Sequence, residues 1–471
     1  MRTECKERGY EFQPLGNRAV VAGFDGGTIT SDGGALLLRE LEAKRHIIGQ
    51  FAECFVDHRD RERIEHTVAE LVGQRVYGLA LGYEDLNDHD RLRQDPLLAV
   101  LVGKEDPTGQ DRTREQDRGK ALAGKSTLNR LELTPAGASA ESRYKKIGVN
   151  EEQVEEFFLR VFVQAQAKAP TELVLDFDAT DDPVHGEQEG RFFHGYYGHY
   201  CYLPLYVFCN GFVLCAQLRR SNVDAAEGSV EVLERIVGYL RQVWPEVTIV
   251  VRGDSGFARE ALMSWCESHQ VDYVLGLARN SRLEAALRVE LDQARQQWAQ
   301  TGQAVRSFKD FRYQTRDSWS RERRVVGKAE YLDKGANPRF VVTSLSSPSW
   351  EAQKLYEQLY CARGEMENRI KEQQLDLFAD RTSAATMRAN QLRLWLASVA
   401  YLLLHQLRCW ALKGTAYAAA QCGTLRLRLL KIGAQVRISV RRVLVSLATG
   451  FPGEEIFQQA WTALQALPGT D

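Results

Sequence analysis

TELVLDFDAT, residues 171–180, is the stretch on which the fold turns. Its apolar run has strand composition and ends in acids, Asp176 and Asp178, which alternation places on one face. Outward from it, YLPLYVFC (202–209) and FVLCAQL (212–218) flank Asn210-Gly211. That dipeptide is a strong hairpin signal, because both residues tolerate positive φ. SVEVLERIVGYLRQVW (229–244) then has apolar residues at helical spacing. VTIVVR (247–252) reads as a strand closed by GDSGF, AREALMSWCESH (258–269) as a helix, and DYVLGLA (272–278) as a strand. Three antiparallel strands are thus followed by alternating helix and strand.

That order is the order of a ribonuclease H-like core, so the predicted fold class is α/β. Upstream, residues 1–170 read as a mainly helical DNA-binding domain, with a short strand pair near RAVVAGFDGGTITSDGG. The core occupies 171–278 and resumes over 351–413. Between them, AVRSFKDFRYQT, RRVVGKAEYL and PRFVVTSL predict a β-rich insertion over 279–350. A basic region, 414–471, contains TLRLRLLKIGAQVRISVRRVLVSL, which reads as strands or as a strand–helix piece.

The 471 residues are long enough for two to four domains, with ordinary apolar (44%) and charged (26%) fractions for a soluble protein. The nine cysteines form no C-x-x-C pair, which excludes a zinc ribbon and fits a reducing cytoplasm. RTECKERGYEF has no apolar core of a secretory leader. LWLASVAYLLLHQL (394–407) is too short for the ~20 residues of a membrane span and predicts a buried helix. The net charge of −2 conceals an asymmetry. Arg381 to Gly453 holds eleven Lys and Arg and no Asp or Glu; 61 minus 11 leaves 50 bases against 63 acids elsewhere. An acid-free block of that length is the footprint of a surface facing phosphate, with Arg426 and Arg428 as candidate contacts.

GKALAGKST (119–127) satisfies the phosphate-loop pattern G-x-x-x-x-G-K-[ST]. A phosphate loop needs a strand before the glycines, whereas KEDPTGQDRTREQDRG precedes them here. The match is therefore accidental, and Ser126 reads as the N-cap of a short helix, TLNRLEL.

Asp178 closes one predicted strand and Asp254 follows another, the positions where α/β sheets carry chemistry. Asp176 is an alternative to Asp178. In LYCARGEMENRIKEQQ, Tyr360, Arg363 and Glu367 lie at i, i+3 and i+7, one stripe of a helix, while Glu365 falls off it. Three hard carboxylates suit magnesium, and two such ions can clamp both oxygens of an in-line phosphoryl displacement. Arg363 beside them offers a bidentate fork for phosphate.

LDFDATDDPVHG (175–186), VRGDSGFARE (251–260), YCARGEMENRIKEQQLDLFADRTS (360–383) and LAGKSTLNRLE (122–132) resemble the DDE insertion-sequence transposases with a ribonuclease H-like catalytic domain. More narrowly, they are similar to the insertion-sequence thirteen-eighty family. The resemblance covers roughly residues 20–450. It implies that Asp178, Asp254 and Glu367 are catalytic metal ligands for two Mg2+ ions, with Mn2+ able to substitute. It implies a DNA transposase that cleaves transposon ends and joins them to target DNA by cut-and-paste, with a flank hairpin as one route. Tyr360 and Arg363 would position the phosphate. The wider group has a Lys seven residues after its Glu; Gln374 stands there, and Lys371 is the nearest substitute. Trp319, in the insertion, would hold an unstacked base, against the alternative of packing inside that insertion. The implied partners are double-stranded DNA, as terminal inverted repeats and target, and a second subunit on DNA. The implied location is a bacterial cytoplasm, at the nucleoid, with no membrane. A non-enzymatic DNA-binding relative is the alternative, and a carboxylate glycosidase would not need the basic block.

Overall fold

In the computed structural model, which describes residues 9–469, a mixed sheet of nine strands runs through the molecule. In sheet order the strands are Phe212–Gln217, Leu205–Cys209, Glu172–Ala179, Thr248–Gly253, Asp272–Leu277, Arg339–Thr343, Arg323–Leu332 and Val305–Tyr313, with Gly335–Ala336 beside Arg323–Leu332. The first five in chain order therefore stand 3-2-1-4-5. The first three pair antiparallel, and Thr248–Gly253 runs parallel to both Glu172–Ala179 and Asp272–Leu277. The 279–350 region carries two helices, Ser281–Ala286 and Arg288–Thr301, and strands that continue this sheet without a break.

The Asn-Gly signal is realised as the turn between Leu205–Cys209 and Phe212–Gln217. Asn210 has φ 51° and Gly211 φ 81°, both left-handed. A Cβ on Gly211 would meet the His405 ring at 2.6 Å, so packing and backbone both require glycine here.

Helices Leu36–Arg45, Val68–Ala80, Pro96–Val102, Lys125–Glu132 and Glu151–Gln164 dominate the N-terminal part. Val68–Ala80 starts at a capping box in which Thr67 and Glu70 satisfy each other's backbone N–H groups. Met387–Gln406 is buried around almost its whole circumference, packed on Val68–Ala80 and on the Phe212–Gln217 strand, with buried polar residues on it hydrogen-bonded within the chain. The expected N-terminal strand pair is shifted. Arg18–Ala22 pairs back onto Tyr10–Leu15, while Ile29–Thr30 pairs with Ala434–Ser439 from the other end of the chain. Among the described residues no helix is long and apolar enough to cross a membrane, and all eight described cysteines are free. Residues 1–8, on which the reading of a missing leader rests, lie outside the described residues.

The P-loop letters belong to a turn and a helix start, as expected, with one correction. Lys125–Glu132 is capped by Gly124 and Ser126 lies inside it, because the Lys125 N–H donates to Asp90 Oδ1 (3.0 Å) and starts the helix two residues early. The Lys125 ammonium donates to Asn87 Oδ1 at 3.0 Å.

Candidate active site

Strand pairing brings the two aspartates together. Gly253 stands opposite Phe177 in the parallel register, so Asp254 follows on one strand where Asp178 follows on its neighbour. Adjacent strands are ~4.8 Å apart, which makes the two carboxylates neighbours at the carboxyl edge. Asp254 Oδ1 also accepts the Gly256 N–H at 2.8 Å, which fixes the turn after the strand.

Arg363 unites the set. Its Nη2 donates to Asp178 Oδ1 at 3.0 Å and its Nη1 to Glu367 Oε1 at 2.5 Å, and Asp254 lies near enough to act on its charge. Burial pushes the Asp178 carboxyl up to about 6; Arg363 opposes the rise, and the charges of Asp254 and Glu367 add to it. Three carboxylates thus face one guanidinium, an excess of two negative charges in a half-buried cleft. The Arg363 Nε is buried with no partner, a donor left over for an incoming anion.

The helix that delivers these groups is irregular. From Ala352 it passes through a π-helical stretch, Leu355–Tyr360, a 3₁₀ turn, Cys361–Arg363, the α-helix Gly364–Lys371 and a second π-helical stretch, Glu372–Asp376. π-Helical turns are frequent at functional sites because they re-aim side chains. Tyr360 is aimed at Gly276, where an added Cβ would lie 2.6 Å from its hydroxyl oxygen, 2.8 Å from the Ser255 nitrogen and 3.0 Å from the Asp254 carbonyl carbon. Tyr360 therefore stands beside Asp254, lining a cleft of about 420 Å³ that also includes Arg279, Arg339 and Tyr356.

Asp176, the alternative first carboxylate, is engaged elsewhere. Arg252, opposite it in register, grips both its oxygens, with Nη2 to Oδ2 at 2.7 Å, and donates through Nη1 to the Leu359 carbonyl at 2.5 Å. This buried pair ties the central strands to the Glu367 helix and leaves Asp176 no free oxygen. Glu365 points off the cleft and pairs with Arg369 at 3.2 Å.

Other predicted site residues lie elsewhere. Lys371 is exposed, with no ion pair among the described residues. Gln374 donates to the Asp181 carbonyl at 3.1 Å and to Asp182 Oδ1 at 2.9 Å. Trp319 is 5% exposed, edge-on to Tyr313 at 5.7 Å and beneath Arg323. The base-holding role expected of it is corrected to packing, since the ring is enclosed. Arg426 is corrected as well. Its Nε and Nη2 donate to the carbonyls of Ala80 (2.9 Å), Leu79 (3.2 Å) and Asp376, so it joins three segments of the chain. Arg428 is exposed.

Sequence reading missed Arg252, Gly276 and the segment FFHGYYGHY (192–200), which follows Asp178 closely and whose aromatic density was the available signal.

The family described as Transposase DDE domain group 1 matches residues 12–469, and the chain belongs to it. It is a DNA transposase, an enzyme that cuts and recombines DNA. No curated protein matches. Among solved structures the chain is similar to a piggyBac transposase synaptic complex with hairpin DNA, at 12% identity and a TM-score of 0.40, over 85% of this chain and 80% of that one.

Proposed function

We propose that Asp178, Asp254 and Glu367 form the catalytic site, with Arg363 and Tyr360 orienting the scissile phosphate. The carrying observation is the closure of two adjacent strand ends and one helix around a single guanidinium. The 3-2-1-4-5 strand order supports reading residues 171–278 and 351–413 as a ribonuclease H-like core. Among the described residues no three metal-ligating side chains stand ready-made as a cluster, because Arg363 sits between Asp178 and Glu367. The donor chemistry nevertheless fits: all three are hard carboxylate oxygens, the ligand type divalent cations of this class take. Such ions, Mg2+ by preference with Mn2+ as a substitute, would supply positive charge for in-line displacement at phosphorus.

The chain's own groups then have distinct tasks. Arg363, with Nε free, exchanges a carboxylate partner for a non-bridging phosphate oxygen, which releases Asp178 or Glu367. Tyr360, held against Gly276, fixes one wall of the cleft beside Asp254. A strand 3′-hydroxyl freed by hydrolysis would be the nucleophile for joining, with a flank hairpin as one route. Terminal repeats as substrate, a dimer on DNA, a bacterial nucleoid location and membership of the insertion-sequence thirteen-eighty branch belong to the same reading. They rest on the quoted motifs.

Arg428, Arg437, Arg441 and Arg442 are exposed on the C-terminal region and suit DNA phosphates. The test is nicking of DNA carrying the element's ends in Mg2+ by wild type and by Asp254→Asn. We expect the variant to bind the DNA and leave it intact. Undiminished cleavage would remove Asp254 from the site.

A further inference from the structure

Between the Asp178 strand and the next strand of the sheet, the chain makes a small separate sheet. Asp182–Pro183, His199–Tyr202 and Phe192–His194 are its strands, with His199–Tyr202 in the middle. Its tip carries aromatic rings in the open: Tyr196 is 86% exposed, Phe193 57%, Tyr200 46% and Phe192 37%. They are held in place by one another. Phe193 meets Tyr200 edge-on at 5.7 Å, Tyr196 meets Tyr197 at 5.1 Å, and Arg191 lies 4.5 Å over the Tyr200 ring.

Three observations say what covers this surface. First, it adjoins the proposed site: His199 Nε2 lies 2.7 Å from Asp181 Oδ2, Gln374 of the Glu367 helix bonds Asp181 and Asp182, and Tyr197 feels the charges of Asp181 and Asp178. A protein partner seated here would obstruct the approach to Asp178. Second, residues 190–223 contain no Asp or Glu but three arginines. Of these, Arg220 is exposed beside Gly190, with no ion pair among the described residues. Third, open rings with a free cation beside them are the combination that binds unpaired nucleotides, because every base has a face to stack and every link a phosphate.

We propose that the Phe192–Tyr200 hairpin is a stacking platform for unpaired nucleotides of the DNA strand next to the scissile phosphate, with Arg220 taking a backbone phosphate. Its place beside Asp178 rests on the catalytic reading; its affinity for unpaired DNA does not.

The probes are fluorescein-labelled (dT)20 and a 20-base-pair duplex, titrated by anisotropy at one salt concentration with the full-length chain. Wild type is expected to bind (dT)20. Phe193→Leu with Tyr196→Leu should weaken (dT)20 binding by at least about ten-fold and leave the duplex unaffected, because base–ring stacking is lost while apolar bulk remains. Tyr196→Phe should retain wild-type affinity. The side chains changed are exposed, and circular dichroism checks the fold. No (dT)20 binding by wild type, an unchanged Leu variant, or an equal loss on the duplex would overturn the proposal. Self-association abolished by the Leu variant with (dT)20 binding intact would overturn it in favour of a contact between copies. Cleavage by Asp254→Asn would sink the catalytic reading and leave the (dT)20 result standing.

Discussion

Asp176 and Asp178 lie two residues apart on one strand face and do different work. Asp176 balances the buried Arg252, so Asp176→Asn strands a cation; removing one partner of such a pair costs about 3–5 kcal/mol. Asp178→Asn should leave thermal stability close to wild type and abolish cleavage. Denaturation and nicking assays on the two variants separate these roles. Arg363→Lys keeps the charge but loses the fork and the Nε donor, with about a hundred-fold loss in kcat expected from cleavage kinetics. The residues of the proposed site stood out because acids at strand ends and a Tyr–Arg–Glu stripe are poor core material. What hid the choice between Asp176 and Asp178 was cross-strand register. Arg252 is 76 positions away in sequence and opposite in space.

At the scale of elements, periodicity found the central strands and the buried helix over 394–407 because each buries apolar residues with a single period. It took the Tyr360–Glu367 stripe for a regular helix. The π-helical turns arise from tertiary packing, including the contact of Tyr360 with Gly276, and leave no mark in spacing. Gly276→Ala should therefore push against backbone at Ser255 and Asp254, costing about 1–3 kcal/mol and displacing Tyr360. Thermal denaturation and the KM for DNA measure the two effects. The strand continuity of 279–350 with the main sheet was likewise invisible, since sequence shows strands and conceals their neighbours.

For the whole molecule, the acid-free block reads differently once folded. Arg393 bonds Glu132 (2.8 Å), Arg408 bonds Glu372 (2.7 Å), Lys431 pairs with Asp32 (2.6 Å), and Arg388 and Arg381 pair with Glu151 and Glu84. Five of the block's eleven bases thus hold it to acids elsewhere in the chain. Replacing Arg428, Arg437, Arg441 and Arg442 with Ala should reduce the slope of log K against log salt by at most about 3.6, at ~0.9 per phosphate. Arg408→Ala should instead destabilise the fold by about 1.5–3 kcal/mol, because Glu372 loses one buried charged partner while Arg369 and the Cys422 N–H remain.

Asp182 adds a pH dependence. Full burial pushes its carboxyl up to about 8, Gln374 opposing, against an ordinary value of 3.8. The folded chain keeps this proton from about pH 4 to about 8 while the unfolded chain gives it up, so stability falls as pH rises through that interval. Asp182→Asn should flatten that part of the melting-temperature profile.

The central claim is that the three acids which close on Arg363 open to hold divalent metal over DNA. The direct measurement is the anomalous scattering of Mn2+ in crystals of the protein bound to DNA, at a Mn2+ concentration that supports cleavage. The account predicts a peak among the oxygens of Asp178, Asp254 and Glu367, with Arg363 turned toward phosphate. A chain bound to cleavable DNA with no peak there, and Arg363 still between Asp178 and Glu367, would contradict it.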